Sequence, residues 1–185
     1  LQPDGKIIVG GSFTTYQGQS QFSLMRLNAD GTLDTSFNIG TGFNGSVYVV
    51  ELQLDGKLLV GGLFTTYQGQ SQSRLVRLNP DGSKDNTFNI GSGFNGYILD
   101  IKVQSDGKIL VGGFFSTYQG QTQYGLIRLN ADGSKDTSFN IGSNTFTGWV
   151  SRVLQQNDGK IIVTGTFPYN FELLFGIVRL NLDGS

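Results

Sequence analysis

The side chains able to do chemistry in this 185-residue chain are few, and they recur on a beat. There is no His and no Cys, so the usual general bases, thiol nucleophiles and zinc ligands are missing. Three polar sets remain. The first is the octapeptide TTYQGQSQ at residues 14–21, repeated at 65–72 and, as STYQGQTQ, at 116–123. Its Tyr16, Gln17 and Gln19, with Tyr67, Gln68, Gln70, Tyr118, Gln119 and Gln121, join apolar ring faces to amide donors and acceptors. That combination suits sugar hydroxyls, and equivalent weak sites along one rim would gain avidity. The alternative is a solvated connection kept alike by recent duplication of the repeat.

The second set is LNADGSKD at 129–136, with copies from Leu27 and Leu78. Asn130, Asp132, Ser134 and Asp136 offer oxygens at alternate positions, like part of a calcium loop. Arg128 stands two residues before Asn130, where such a loop needs another carboxylate. A hairpin turn is therefore favoured over a metal site, with Arg128 paired to Asp136, Arg26 to Asp34 and Arg77 to Asp85 in bidentate fashion. The third set is the acids outside the repeated turns: Glu51, Asp100 and Glu172. Glu51 and Asp100 fall out of step with each other, so no pair with distinct environments emerges for acid–base work. The sequence predicts a protein that is not an enzyme and needs no cofactor.

The elements that must position these residues follow from the repeat. DGK begins at Asp4, Asp55, Asp106 and Asp158, in steps of 51, 51 and 52 residues. RLN begins at Arg26, Arg77, Arg128 and Arg179, always 51 apart. One residue is added between Phe139 and Trp149, and one is lost between Phe167 and Arg179. The repeats read as 1–46, 47–96, 97–148 and 149–185 within a single repeat domain. The chain opens on LQPDGK without Met, which reads as a start inside a larger protein. In the last repeat FPYNFELLFG replaces the octapeptide. Its apolar Tyr169, Phe171, Leu173 and Leu174 are expected to form a loop buried against a partner subunit or domain.

Within each repeat, apolar runs flank Asp-Gly pairs, the signal of hairpins whose turns need positive φ. No stretch carries a sustained helical apolar face. Four antiparallel strands per repeat are expected, one of them short. The strand after each DG is apolar on both faces, as when sheets cover it on both sides. The doublets Gly10-Gly11, Gly61-Gly62 and Gly112-Gly113 predict close approach of a neighbouring sheet or a local bend. Phe43 and Phe94 are expected to plug gaps between sheets. Trp149, within a residue of the register of Tyr48 or Tyr97, is expected in the core. Small sheets on a beat of about 50 residues predict an all-β, β-propeller-like chain of four-stranded antiparallel blades, as a partial or open ring. A linear β-solenoid, the alternative, has shorter coils.

The net charge is −1, and charged residues are only 15% of the chain, against about 25% in ordinary domains. No basic surplus invites nucleic acid, and no apolar run approaches a membrane span. The pattern LQ-x-DGKI-x-VGG-x-F…RLN-x-DG-x-xD-x-SFN, carried by Gln2 to Phe13, Arg26 to Asn38 and their copies, resembles the delta-60 repeat family. The TYQGQSQ variant looks most like versions in phage tail or virion proteins. The resemblance implies a propeller-like module at a virion or cell surface, extracellular, serving adhesion to a receptor or glycan. The alternative it leaves is a structural spacer that docks other subunits. It implies no catalytic residue.

Overall fold

The computed structural model describes residues 1–142, 148–169 and 172–185, and side chains except those of 168–174. The described residues form strands and turns and no helix. They fall into two compact units, Leu1–Asn86 and Thr87–Ser185.

In the first unit, Ile7–Gly10 pairs with Leu24–Leu27, and a single bridge from Leu27 to Leu33 extends the sheet. The next repeat is complete: Val47–Leu52, Leu58–Gly62 and Leu75–Leu78 lie antiparallel in that order, and Leu78 bridges to Lys84. The second unit repeats this with Tyr97–Val103, Ile109–Phe114 and Leu126–Leu129, bridged at Leu129 to Lys135. It ends with Val150–Gln155, Ile161–Tyr169 and Glu172–Leu180. In the first three repeats the last strand of the blade is thus one bridged residue. Turn chemistry sets the hairpins. Gly56 sits at φ 81°, and Asp55 Oδ1 accepts the amide proton of Lys57 at 3.1 Å, fixing the turn locally.

The first and second positions of the glycine doublets do different work, as Gly10 and Gly112 show for the first and Gly62 and Gly113 for the second. The first lies where the following sheet comes closest. A Cβ built on Gly10 would stand 2.7 Å from Val47 Cγ1, and one on Gly112 would stand 2.7 Å from Val150 Cγ1. The second permits a β-bulge inside its own sheet. A Cβ on Gly62 or Gly113 would collide with the carbonyl of Ser46 or Tyr97, where the register shifts between Val47 and Val49 or between Ile98 and Asp100. The close approach and the local bend are both present.

Within each unit a core lies between its two sheets. Leu24 of the first repeat meets Val47, Val60, Phe64 and Val76 of the second, with Ile8 half-buried beside them. Leu110 and Leu126 of the third meet Val150, Val153, Ile161 and Val163 of the fourth. Leu24, Leu110 and Leu126 have no exposed surface. Removal of such side chains from water is the main stabilising term, at about 1.5–3 kcal/mol each. Four-stranded antiparallel blades packed on a 51-residue beat make this an all-β, β-propeller-like chain.

The segment expected as a loop in the last repeat is instead sheet. Phe167 pairs with Leu174, and Tyr169 with Glu172, so the two flanking strands run on for nine residues each. Pro168 and Asn170 interrupt the apolar run as a loop would, but Phe167, Tyr169 and the other aromatic residues of the segment favour strand. Phe171 lies outside the described residues, as do the side chains of Tyr169, Leu173 and Leu174.

Candidate functional site: an aromatic cleft on the third repeat

The octapeptide is a miniature hairpin and not an open loop. Thr66–Tyr67 pairs with Gln70–Ser71, and the turn residues Gln68 and Gly69 both have positive φ, 50° and 74°. That is the type I′ geometry, for which Gly is the natural second residue. The same hairpin forms at Thr15–Tyr16 and Gln19–Ser20, and at Thr117–Tyr118 and Gln121–Thr122. Each lies along its own blade. The Tyr118 hydroxyl donates to the Gly133 carbonyl at 2.5 Å, which is at the far end of the strand Leu126–Leu129. Tyr67 makes the same bond to Gly82, and Tyr16 to Gly31.

This corrects the sugar-contact assignment for two tyrosines. Tyr67 and Tyr118 are 1% and 2% exposed, and their rings pack on Phe43 and Phe94, each with centroids 4.7 Å apart. Burial, helped by the Asp81 charge at Tyr67, pushes both phenols above their ordinary range. Tyr16 is half-buried. Gln17, Gln19, Gln68, Gln70, Gln119 and Gln121 are exposed. Yet Gln68 and Gln119 are tied down through their backbone, donating to the carbonyls of Gly42 and Gly93 at 2.8 and 2.9 Å. Their side chains lie over Gly40 and Gly91. The hairpin therefore locks the connection from the preceding repeat.

The predicted arginine–aspartate pairs have a different geometry from a bidentate fork. Arg26 Nε donates to Asp34 Oδ2 at 2.7 Å, as do Arg77 to Asp85 and Arg128 to Asp136. Lys6, Lys57 and Lys108 reach the same oxygens at 2.8–2.9 Å. The other carboxylate oxygen of Asp34 accepts from the backbone and hydroxyl of Ser36. Arg26 then extends its guanidinium to the Pro80 carbonyl in the following repeat, 2.7 Å away, and Arg128 reaches the Leu182 carbonyl likewise. Burial alone would raise the Asp34 and Asp136 pKa values. The hydrogen bonds from lysine, serine and arginine outweigh it and hold both carboxyls well below the usual carboxylate range. Asp132 is engaged within its turn, accepting from Ser134 N and Oγ at 2.9 and 2.7 Å. Among the described residues no cluster of three or more acids could hold a metal ion. Asp100 accepts the amide proton of Val153 at 2.7 Å, a tie between the third and fourth repeats.

The surface that departs from the repeat lies elsewhere. Asn95, Gly96, Tyr97, Phe114, Ser116 and Tyr124 line a cleft of about 260 Å³, with Phe115 and Gly148. Among the described residues no Asp, Glu, Lys or Arg borders it. Three of its residues are aromatic replacements: Tyr97 stands at the position of Ser46, Phe114 at that of Leu63, and Tyr124 at that of Ser73. A fourth position of this edge also differs. Arg74 of the second repeat donates to the carbonyl of Leu63, the counterpart of Phe114, whereas the third repeat has Gly125 at that position. Tyr97 and Phe114 are 6.1 Å apart, Phe114 and Trp149 6.2 Å, and Trp149 and Phe175 5.9 Å, between ring centroids. The result is one row of exposed rings.

Trp149 is therefore not a core residue; it is 39% exposed and aligns with Tyr97. Nothing in residue type alone marked this row, but aligning the third repeat on the second would have shown three aromatics gained together. Asn95 positions the cleft wall. Its Oδ1 accepts from the amides of Ser116 and Thr117 at 3.0 Å, and its Nδ2 donates to Ser116 Oγ at 2.9 Å. Such an arrangement can bind a small group with an apolar face and hydrogen-bonding edges.

A search of curated proteins returns no match. A family model described as a domain of unknown function (DUF5122) beta-propeller matches residues 2–37, 53–88, 104–139 and 156–185, well over half of the chain. Each match spans one DG–RLN–DG unit of the repeat, and the chain belongs to the DUF5122 beta-propeller family.

Proposed function

We propose that the chain is a non-enzymatic binding module that attaches a virion or cell surface to a saccharide through the aromatic cleft of its third repeat. One observation carries this reading. Compared with the second repeat, the third has Tyr97, Phe114 and Tyr124 in place of Ser46, Leu63 and Ser73, and the three line one cleft beside the exposed Trp149. A row of exposed rings on a loop-bearing edge is the ordinary mark of an interaction surface. Tyrosine and tryptophan offer flat apolar faces with a polar tip, which suits sugars. The resemblance to delta-60 repeats supports an extracellular, cell-surface or virion setting of the adhesive or phage-tail kind. The experiment is retention on an array of immobilised oligosaccharides. The intact chain should be retained, and a Tyr97→Ser, Phe114→Leu, Tyr124→Ser variant, which restores the residues of the second repeat, should not. Equal retention of both would overturn the proposal.

A structural role in assembly has its own support. Ile177 occupies the repeat position of Leu24 and Leu126, which are fully buried, but is 73% exposed beside Phe175. A docking subunit would cover these two side chains.

A further inference from the structure

We infer that the ligand unit seated in the cleft is an uncharged sugar, a neutral hexose or N-acetylhexosamine, and not an acidic one. This rests on the reading of the cleft as a saccharide site. The lining is Asn95, Ser116, Tyr97, Tyr124 and apolar or backbone surface, and among the described residues it has no side chain of opposite charge for a carboxylate or sulfate. An anion moved from water into such a site would lose hydration without a compensating partner, which is strongly unfavourable. The second repeat shows what the alternative looks like. There Arg74 brings a guanidinium to the carbonyl of Leu63, and the third repeat has removed that cation through Gly125.

Size points the same way. About 260 Å³ is a little below the range of drug-sized pockets, roughly 300–1,000 Å³, and so admits one ring-sized group. The rings of Tyr97 and Phe114 are tilted by 45°, so a sugar ring in the cleft would lie against aromatic walls of differing tilt. Tyr97, Tyr124 and Ser116 bring hydroxyls to the lining for its polar edge. An acetamido methyl would find apolar surface on Phe114 and Phe115.

The chain has one tryptophan, so its emission reports from beside the cleft. Trp149 fluorescence should be titrated with neutral probes (chitotetraose, cellotetraose, maltotetraose) and acidic ones (sialyllactose, tetragalacturonate), at low and high salt. The expected result is a saturable change with at least one neutral probe, insensitive to salt, and none with the acidic probes. Gly125→Arg should weaken the neutral binding about tenfold or more. The positive φ of Arg74 and Gly125 is shared, so arginine is accommodated by the backbone there. Tyr124→Ser is the second variant, with the same expected loss and thermal unfolding as the control for folding. Binding of the acidic probes that falls steeply with salt would overturn the inference and leave the saccharide reading standing. Neutral binding undiminished in both variants would overturn it by placing the site elsewhere. No response to any probe, together with no retention on the array, would remove the saccharide reading and the inference with it.

Discussion

Arg74 and Gly125 occupy the same repeat position with the same left-handed backbone, at φ 72° and 60°. In the second repeat the side chain donates to the Leu63 carbonyl; in the third its loss leaves Phe114 half exposed beside a cleft. With Tyr97, Phe114 and Tyr124, this exchange sets the edge of the third repeat apart from that of the second. The backbone needed no change, because a turn that tolerates positive φ in arginine is relieved by glycine.

The stacking glycine is the most sensitive point of the blade interface. Gly112→Thr copies the residue found at the equivalent position, Thr164, and would drive a branched side chain into Val150 and Val153. Overpacking of this kind costs about 1–3 kcal/mol. Urea denaturation should show a lower midpoint with little change in slope.

The hairpin tyrosines should behave as structural residues. Tyr118→Phe keeps the ring against Phe94 but leaves the Gly133 carbonyl without its donor. The expected loss is about 1 kcal/mol, read from the same denaturation curves, while saccharide retention should be unchanged. Tyr118→Ala removes the ring as well and should cost about 3–5 kcal/mol.

Acid should weaken the fold through Asp34 and Asp136. Their pKa values are lowered in the folded chain by the lysine, serine and arginine hydrogen bonds, against the effect of burial. The unfolded carboxyl, near 3.9, takes a proton first. The stabilisation is complete above about pH 5 and is lost as pH falls through 4 and below. Asp136→Asn should lower stability at pH 7 and flatten the dependence between pH 5 and 3. Denaturation midpoints collected across that interval check it.

Gln104 is 4% exposed, and neither polar atom of its amide has a hydrogen-bond partner. A buried unpaired polar group is destabilising by about 1–3 kcal/mol. Gln104→Met, close in volume, should raise the unfolding midpoint. A fall would show that an ordered water satisfies the amide.

Much of the fold was legible because it is periodic. The Asp-Gly turns, the two-faced apolar strands and the glycine doublets each name a local geometry, and their 51-residue recurrence names the architecture. The arginine–aspartate pairing could be read from spacing, but its sharing with lysine and its reach to the next repeat could not. Those contacts depend on how far Arg26 extends past Asp34 to Pro80. The octapeptide misled because polar composition stood in for exposure. Tyr67 and Tyr118 are buried by Phe43 and Phe94, which arrive from the preceding connection. Trp149 misled in the opposite sense: a large ring at a strand head looks like core, and only the packing of the third and fourth repeats leaves it at the surface. The cleft itself was visible as Tyr97, Phe114, Tyr124 and Gly125, but only when repeat is compared with repeat.

The most direct measurement is a residue-resolved NMR titration of the intact chain with the saccharide that binds most tightly on the array. The account predicts shifts clustered at Tyr97, Phe114, Tyr124 and the Trp149 indole, with the hairpins at Gln17, Gln68 and Gln119 unmoved. Equal shifts at those three hairpins, and none in the cleft, would contradict it.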